Sequence, residues 1–129
     1  MTLLKNIQIW EGAMAAHQYK LDNLCAVIDR NRLQISGNTE DVMGHDDLHE
    51  RFKSFGWHVI DVSDGNNIDQ LREAFNEAKT IKGQPRVLIA NTVKGKGSAV
   101  MENKANWHHK VPNEEELAQI KNCLLYTSP

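Results

Sequence analysis

Apolar runs of strand length alternate along the chain with segments of helical periodicity. The run at 24–28 is continuous, which is typical of a strand buried on both faces, and 86–91 is again apolar through its middle. The predicted strands are 24–28, 57–62 and 86–91. The predicted helices are 8–20, 48–55, a segment opened by Asn67 and a last segment from Asn113 to about Leu124. Strands that alternate with helices predict an α/β fold, with a mainly parallel sheet and flanking helices.

Two of the predicted helices carry apolar residues at helical spacing, so one face of each is expected to cover the sheet. The predicted faces are Trp10, Ala13, Met14 and His17 in the first helix, and Ile68, Leu71, Phe75 and Ala78 in the third. Two helix starts fit the capping-box pattern, in which two side chains satisfy each other's backbone N–H groups. These pairs are Asn67 with Gln70 and Asn113 with Glu116.

The composition narrows the class of protein. At 129 residues, 40% hydrophobic and 25% charged, the chain has the character of one modest globular domain. A formal net charge of -2 gives no electrostatic footprint for nucleic acid or an anionic membrane. No apolar run approaches the roughly 20 residues of a membrane-spanning helix, and residues 1–5 are too weakly apolar for a secretory signal. We therefore expect a cytoplasmic protein, in which Cys25 and Cys123 form no disulfide framework.

The first of two polar loops begins at Asp29, directly after a predicted strand, and spans residues 29–37. In parallel sheets, ligands bind outside the carboxyl ends of the strands. Asn31 offers a side-chain oxygen there, and the neighbouring backbone offers carbonyls. Neutral oxygens of this kind suit Mg²⁺ or Ca²⁺ bridging to phosphate. The alternative, which is the commoner outcome for such spacing, is an Asx-type turn made by Asp29 and Asn31.

The second polar loop follows Asn91 and contains two candidate phosphate contacts. The glycines of the sequence Lys-Gly-Lys-Gly at 94–97 expose backbone N–H groups, although the spacing is not that of a P-loop. His108 lies further along the loop, and an imidazole can donate to phosphate near neutral pH. The alternatives are a surface loop with solvated lysines and an exposed loop histidine.

A zinc site is a weaker hypothesis. His45 and His49 are four residues apart, beside Asp46 and Asp47, so two metal ligands could share one helical face. The sequence has no third soft ligand at the usual spacing and no His-Glu-x-x-His motif. We therefore expect a polar helix face.

From Ile9 to about Pro112 the chain resembles the thiamine-diphosphate-binding domain of the transketolase family. It is most similar to the form in which that domain is a separate N-terminal subunit. The matching segments, in order, are 9–16, 21–24, 29–37, 55–57, 64–66, 94–97 and 101–103. The resemblance implies a single partial thiamine-diphosphate-binding domain over 1–129, family-like over 7–120.

The resemblance assigns roles in the first loop. Asn31 matches an Asn whose side-chain oxygen ligates the metal, and Leu33 matches a position whose backbone carbonyl also ligates it. Ile35 matches an apolar residue that lies against the cofactor, and Asp29 supports the loop. Asn31 and Leu33 are thus the implied metal ligands.

In the second loop, the resemblance makes Lys94 and Gly95 part of the cofactor-binding segment. His108 matches a catalytic His that contacts the cofactor diphosphate and the substrate region. His109 replaces a Gly of the family, and a bulky residue at a glycine position is expected to alter the backbone conformation of this loop.

One half of the family's cofactor signature has no counterpart. The signature begins with Gly-Asp-Gly at a strand end, whereas no acidic residue precedes Glu11 here. A divalent cation without a carboxylate loses its main electrostatic anchor. We therefore expect a fragment, incomplete at the N-terminus, with ends at 1–6 and 122–129 that depart from the family pattern. We also expect the isolated chain to bind Mg²⁺–thiamine diphosphate weakly or not at all.

The resemblance implies transfer of a two-carbon ketol unit between sugar phosphates, as in the pentose phosphate pathway of carbohydrate metabolism. The implied cofactors are thiamine diphosphate and Mg²⁺ or Ca²⁺. The implied partner is a transketolase C-terminal subunit or domain, in a homo- or hetero-oligomer, and the chain alone is expected to be inactive. Two alternatives stay open: a related enzyme of the deoxyxylulose-phosphate synthase type, which shares a Lys-Gly-x-Gly loop, and a non-catalytic α/β module.

Overall fold

A computed structural model describes residues 6–34, 37–38 and 47–126 of the chain. The helices are α1 (Ile7–Gln18), α2 (Leu48–Ser54), α3 (Ile68–Thr80) and α4 (Glu114–Tyr126), with a 3₁₀ turn at Ala105–Trp107. The strands are β1 (Cys25–Arg30), β2 (Leu33–Gln34), β3 (Gly37–Asn38), β4 (His58–Val62) and β5 (Arg86–Asn91). Every predicted helix and strand is confirmed to within two residues at the bounds that were predicted. The β2–β3 pair falls in a stretch that the sequence predicted as loop.

The main sheet has three parallel strands in the order β1-β5-β4, which confirms the predicted α/β class. The central strand β5 pairs on both sides, so that Leu88 lies between Val27 of β1 and Ile60 of β4. Val87 and Leu88 are completely buried. Helices α1 and α2 cover one face of the sheet and α3 covers the other. This layering gives β5 the continuous apolar sequence typical of a strand buried on both faces.

Aromatic packing fixes α1 and α2 against the first face. The rings of Trp10 and Phe52 lie with centroids 5.2 Å apart, and those of Phe52 and Trp57 lie 5.5 Å apart. The buried indole N–H of Trp57 donates to the carbonyl of Ala13 at 2.9 Å. A buried Trp N–H without a partner would be costly, so this bond sets how far α1 stands from the sheet.

The predicted apolar helix faces are only partly right. Ala13 and Ala16 are the buried residues of α1, whereas Met14 is 49% exposed and His17 is exposed. In α3 the buried residues are Ala74 and Ala78, whereas the predicted Ile68 and Phe75 are exposed. The small side chains of the buried alanines let both helices lie close to the sheet. With the alanine face turned to the sheet, the larger apolar residues lie on the exposed side of each helix.

The prediction that residues 24–28 are buried on both faces is wrong. Ile28 is buried against α1 and α2, but Val27, on the opposite face, is 51% exposed. Within the described residues β1 is an edge strand of the main sheet, and the core beneath α3 is formed mainly by β4 and β5, with Cys25 of β1 partly buried against it. An apolar edge strand is a template for pairing with another chain.

The two predicted capping boxes have different outcomes. Asn113 and Glu116 form a reciprocal box: the Glu116 N–H donates to Asn113 Oδ1 at 2.8 Å, and the Asn113 N–H donates to Glu116 Oε2 at 3.0 Å. Asn67 caps α3, but the Gln70 side chain accepts from the Asp64 N–H instead. Cys25 carries a free, partly buried thiol. None of the described helices is long and apolar enough to span a membrane.

Candidate functional site

The carboxyl ends of the three parallel strands meet at one edge of the main sheet. The polar segments that leave them there are 31–34 after β1, 63–67 after β4 and 92–111 after β5. Hydrogen bonds join the loop after β5 both to the end of β1 and to the segment after β4. This edge is where domains of this architecture bind ligands, so it is the place to look for a site.

Thr92 joins the loop after β5 to strand β1. Its N–H donates to the Arg30 carbonyl at 3.3 Å, and its hydroxyl donates to the carboxylate of Asp29. The sequence prediction that Asp29 lies in the first loop is wrong, because β1 continues through Arg30 by pairing with Asn91 of β5. The carboxylate of Asp29 therefore contacts the second loop from a position on a strand.

The segment after β4 bonds to the end of β5 through a backbone N–H and to the loop after β5 through a side chain. The Gly65 N–H donates to the Asn91 carbonyl at 2.7 Å, and Asn66 Oδ1 accepts from the Val93 N–H at 2.8 Å. A Cβ on Gly65 would lie 2.7 Å from the Thr92 methyl group, so only glycine allows this approach. Sequence reasoning identified the Asp-Gly-Asn stretch at 64–66 only as a loop and a family match, and missed this structural role.

Asn31 forms the side-chain turn that was the alternative to a metal ligand. Its Oδ1 accepts from the Leu33 N–H at 3.0 Å, and Arg32 between them has a φ of 58°. This is an Asx-type turn with its central residue in the left-handed region. An amide oxygen has two lone pairs, so one acceptor direction of Asn31 is left by this bond. Ile35 lies outside the described residues.

Lys94 and His108 come together although they are 14 residues apart in sequence. Lys94 Nζ lies 3.5 Å from His108 Nδ1, and the rings of His108 and His109 meet edge to face with centroids 4.3 Å apart. Partial desolvation, followed by the charges of His109 and Lys94, lowers the pKa of His108 from its ordinary value of 6.5. This shift favours the neutral form of the imidazole beside the Lys94 side chain.

Gly95 permits the tight turn that brings Lys94 to this position. Its φ is 70°, and a Cβ would lie 2.9 Å from the Met101 Cβ and 3.0 Å from its backbone. The Lys94 carbonyl accepts from the Asn103 N–H at 2.8 Å, which closes the turn. Lys96 points elsewhere and pairs with Glu102 at 3.7 Å. Of the two lysines in the Lys-Gly-Lys-Gly stretch, Lys94 is the one that contacts His108.

The zinc hypothesis finds no support in the described residues. His49 Nδ1 lies 2.5 Å from the carboxylate of Asp61 on β4. His45 lies outside the described residues. No group of three or more His, Cys, Asp or Glu that could hold a metal ion occurs in the part of the chain that the structure describes.

The fold and its polar edge define the class: a parallel α/β domain with its candidate site at the carboxyl ends of the strands. The family model described as transketolase, thiamine diphosphate binding domain, matches residues 4–128. The chain therefore belongs to the transketolase family, as a thiamine-diphosphate-binding domain.

The chain is similar to parts of longer relatives. It is 47% identical over 108 residues to a subunit of the apulose-4-phosphate transketolase of Phocaeicola vulgatus, a match that covers 84% of this chain and 38% of the relative. It is 42% identical over 102 residues to human transketolase, covering 79% of this chain and 16% of that protein. The chain thus spans well under half the length of the curated relatives it matches.

Solved structures confirm the fold. The chain superposes on transketolase from Leishmania mexicana with a TM-score of 0.82 at 31% identity, covering 94% of this chain and 18% of that one. Transketolase from Campylobacter jejuni gives a TM-score of 0.85 at 25% identity, covering 92% and 18%. The sequence resemblance and its predicted α/β fold are therefore confirmed.

Proposed function

We propose that this chain is part of a transketolase, and that its carboxyl edge contacts the diphosphate end of thiamine diphosphate. The observation that carries the proposal is the Lys94–His108 contact, on a loop bonded to the strand that precedes Asn31. Family membership supports the cofactor, because the matching domain is described by thiamine diphosphate binding. When bound, that cofactor supplies the carbon that carries the two-carbon unit, and the protein supplies orientation and charge.

The described residues fit the diphosphate. The Lys94 ammonium is a fixed positive charge, and the neutral imidazole of His108 can donate through its second nitrogen. Gly95 has no side chain, so a diphosphate could approach the backbone of the loop closely at this position. We therefore assign diphosphate contact to these three residues. Ile35 is proposed to lie against the cofactor, and Asp29 is proposed to support the site through its bond to Thr92.

A divalent cation fits the described residues less well. Asn31 Oδ1 and the Leu33 carbonyl are the proposed ligands, and both are neutral. Mg²⁺ or Ca²⁺ bound to phosphate normally also takes a carboxylate. Asp29 lies on β1 and accepts from the Thr92 hydroxyl through Oδ1, so we propose it as a support of the site and not as a ligand. We therefore expect weak retention of the metal by the isolated chain.

We further propose that a partner subunit or domain completes the active site, for ketol transfer between sugar phosphates of the pentose phosphate pathway. Two of the similar proteins are named as subunits of apulose-4-phosphate transketolases, which indicates a second subunit in those enzymes. We also propose that the protein forms a homo- or hetero-oligomer and that it is located in the cytoplasm. A deoxyxylulose-phosphate synthase type of reaction is less favoured, because the relatives that match are transketolases.

Binding of inorganic pyrophosphate, a probe for the diphosphate end, tests the site. Lys94→Met should weaken binding at least about tenfold, since a charged hydrogen bond contributes roughly 1.5–3 kcal/mol. Lys96→Met is the matched control, because Lys96 pairs with Glu102 and not with His108. Titration calorimetry on the full chain provides the measurement. Equal losses in both variants would show only a general charge effect and contradict the site.

Activity requires a second experiment. The chain is mixed with a transketolase C-terminal subunit, thiamine diphosphate, Mg²⁺, a ketose phosphate and an aldose phosphate. Ketol transfer in the mixture, and not in either component alone, supports the proposal. Binding of pyrophosphate without transfer would favour the non-catalytic α/β module.

A further inference from the structure

A cluster outside the proposed contacts holds the short segment that carries His108 and His109. Trp107, at the end of the 3₁₀ turn, is only 7% exposed and fixes one end of this segment. The other end is Lys110, whose Nζ lies 4.3 Å from the centroid of the Trp107 ring. A lysine at this distance from an indole is attracted by the ring quadrupole.

Glu116, at the start of α4, holds Lys110 in place. Its carboxylate forms an ion pair with the Lys110 ammonium through Oε1, while its Oε2 accepts from the Asn113 N–H. The side chain of Glu116 is only 21% exposed and that of Lys110 is 40% exposed, whereas both side chains of the Lys53–Glu50 pair are 60% exposed. The Lys110 bond, followed by the Asn113 N–H, lowers the pKa of Glu116. One carboxylate therefore connects the helix start to the end of the histidine segment.

The geometry leaves little freedom between the two fixed ends. Only two residues separate Trp107 from Lys110, and the Lys110 side chain returns to the Trp107 ring. His108 and His109 are therefore displayed as a pair, exposed and in edge contact, with Lys94 beside the first of them. Substituting His109 for the family's glycine is compatible with this arrangement, because His109 does not have a positive φ.

We propose that Lys110 is a positioning residue, which holds His108 against Lys94 by bridging the Trp107 ring and the Glu116 carboxylate. This inference rests on the proposed function of His108 and deepens it. Lys110 acts through the backbone of the segment, because its side chain is directed to Trp107 and Glu116 rather than to His108.

Lys110→Met tests the bridge, because methionine keeps the stem and removes the charge. The pKa of His108 should then move nearer its ordinary value, since a looser segment lets water reach the ring and moves it away from His109 and Lys94. Lys110→Arg should restore the wild-type titration, because a guanidinium also stacks on an indole and pairs with a carboxylate. Lys121→Met, on an exposed position of α4, is the control for loss of one positive charge. The measurement is an NMR titration of the His108 ring protons in the full chain without added anion.

The outcomes separate this inference from the proposed function. Unchanged His108 titration in Lys110→Met, or an equal change in Lys121→Met, would overturn the positioning role even if the variant melts at a lower temperature. Pyrophosphate binding is measured in parallel, and Lys110→Met should weaken it about fivefold. If wild-type chain binds no pyrophosphate while the titration still shifts, the positioning contact holds and the proposed diphosphate site fails.

Discussion

The loops after β1 and β5 lie side by side, yet the structure holds them in different ways. The loop after β5 is fixed by a buried Trp107, a tight turn at Gly95 and bonds to the end of β1 and to the segment after β4. In the part of the loop after β1 that the structure describes, the side chain of Asn31 accepts a hydrogen bond from the Leu33 N–H and forms a local turn. The difference indicates that the second loop is preformed by packing, whereas the first is set by local hydrogen bonding. We therefore expect the two loops to respond differently to substitution.

Trp107→Ala should have the largest effect. Removing a buried indole from a packed position costs about 3–5 kcal/mol of unfolding free energy, and it also removes the ring beneath Lys110. Urea denaturation followed by circular dichroism measures the loss. Trp107→Phe keeps an aromatic ring and should lose much less. A loss below about 1 kcal/mol for the alanine variant would mean that the second loop is not held by packing.

Gly95→Ala should come next. A positive φ together with contacts at 2.9–3.0 Å to Met101 should cost about 1–3 kcal/mol. Gly83→Ala is the matched control, because Gly83 has a φ of 75° but no atom within 4 Å of the added Cβ. The difference in denaturant midpoint between the two variants measures the cost of the close contact between the added Cβ and Met101, because both glycines have a positive φ. Identical losses would show that only the backbone conformation matters at Gly95.

Asn31→Ala should have a smaller effect on stability, about 0.5–1.5 kcal/mol, because it removes one partly buried hydrogen bond. Asn31→Asp keeps an acceptor for the Leu33 N–H and should retain the turn. Thermal unfolding of both variants gives the comparison. A cost for Asn31→Ala as large as that of Trp107→Ala would contradict the view that the first loop depends on local bonding.

The smallest expected effect is on the pH dependence of the unfolding free energy, to which His108 should contribute. Its folded pKa is lowered, so near pH 6.5 the unfolded chain binds more protons than the folded chain. Stability should therefore fall as the pH falls through 6.5, and His108→Gln should reduce that fall. Glu116 acts in a separate window: its lowered pKa contributes stability above its ordinary value of 4.5, which is lost at more acidic pH. Melting temperatures at about pH 7.5 and about pH 5.5 provide the check. Equal slopes in wild type and His108→Gln would contradict the lowered pKa.

Much of the candidate site could be located from sequence, because polar loops that follow apolar runs mark the carboxyl ends of strands. That reasoning identified the loops of Asn31 and His108. It could not show that Lys94 rather than Lys96 reaches His108, because the answer depends on the turn at Gly95 and on Glu102. It also could not show that Asp29 contacts Thr92, since 63 residues separate them.

The sequence by itself determined the order and type of the elements, because hydrophobic periodicity and cap residues are local properties of the chain. It also determined the family, through motifs spread over most of its length. The tertiary structure decided which apolar side chains are buried: Ala13 and Ala78 rather than Met14 and Phe75. It also decided that one face of β1 is left half exposed at Val27. These outcomes depend on how each helix is rotated against the sheet and on which strands are neighbours, and both are set by contacts between residues distant in sequence.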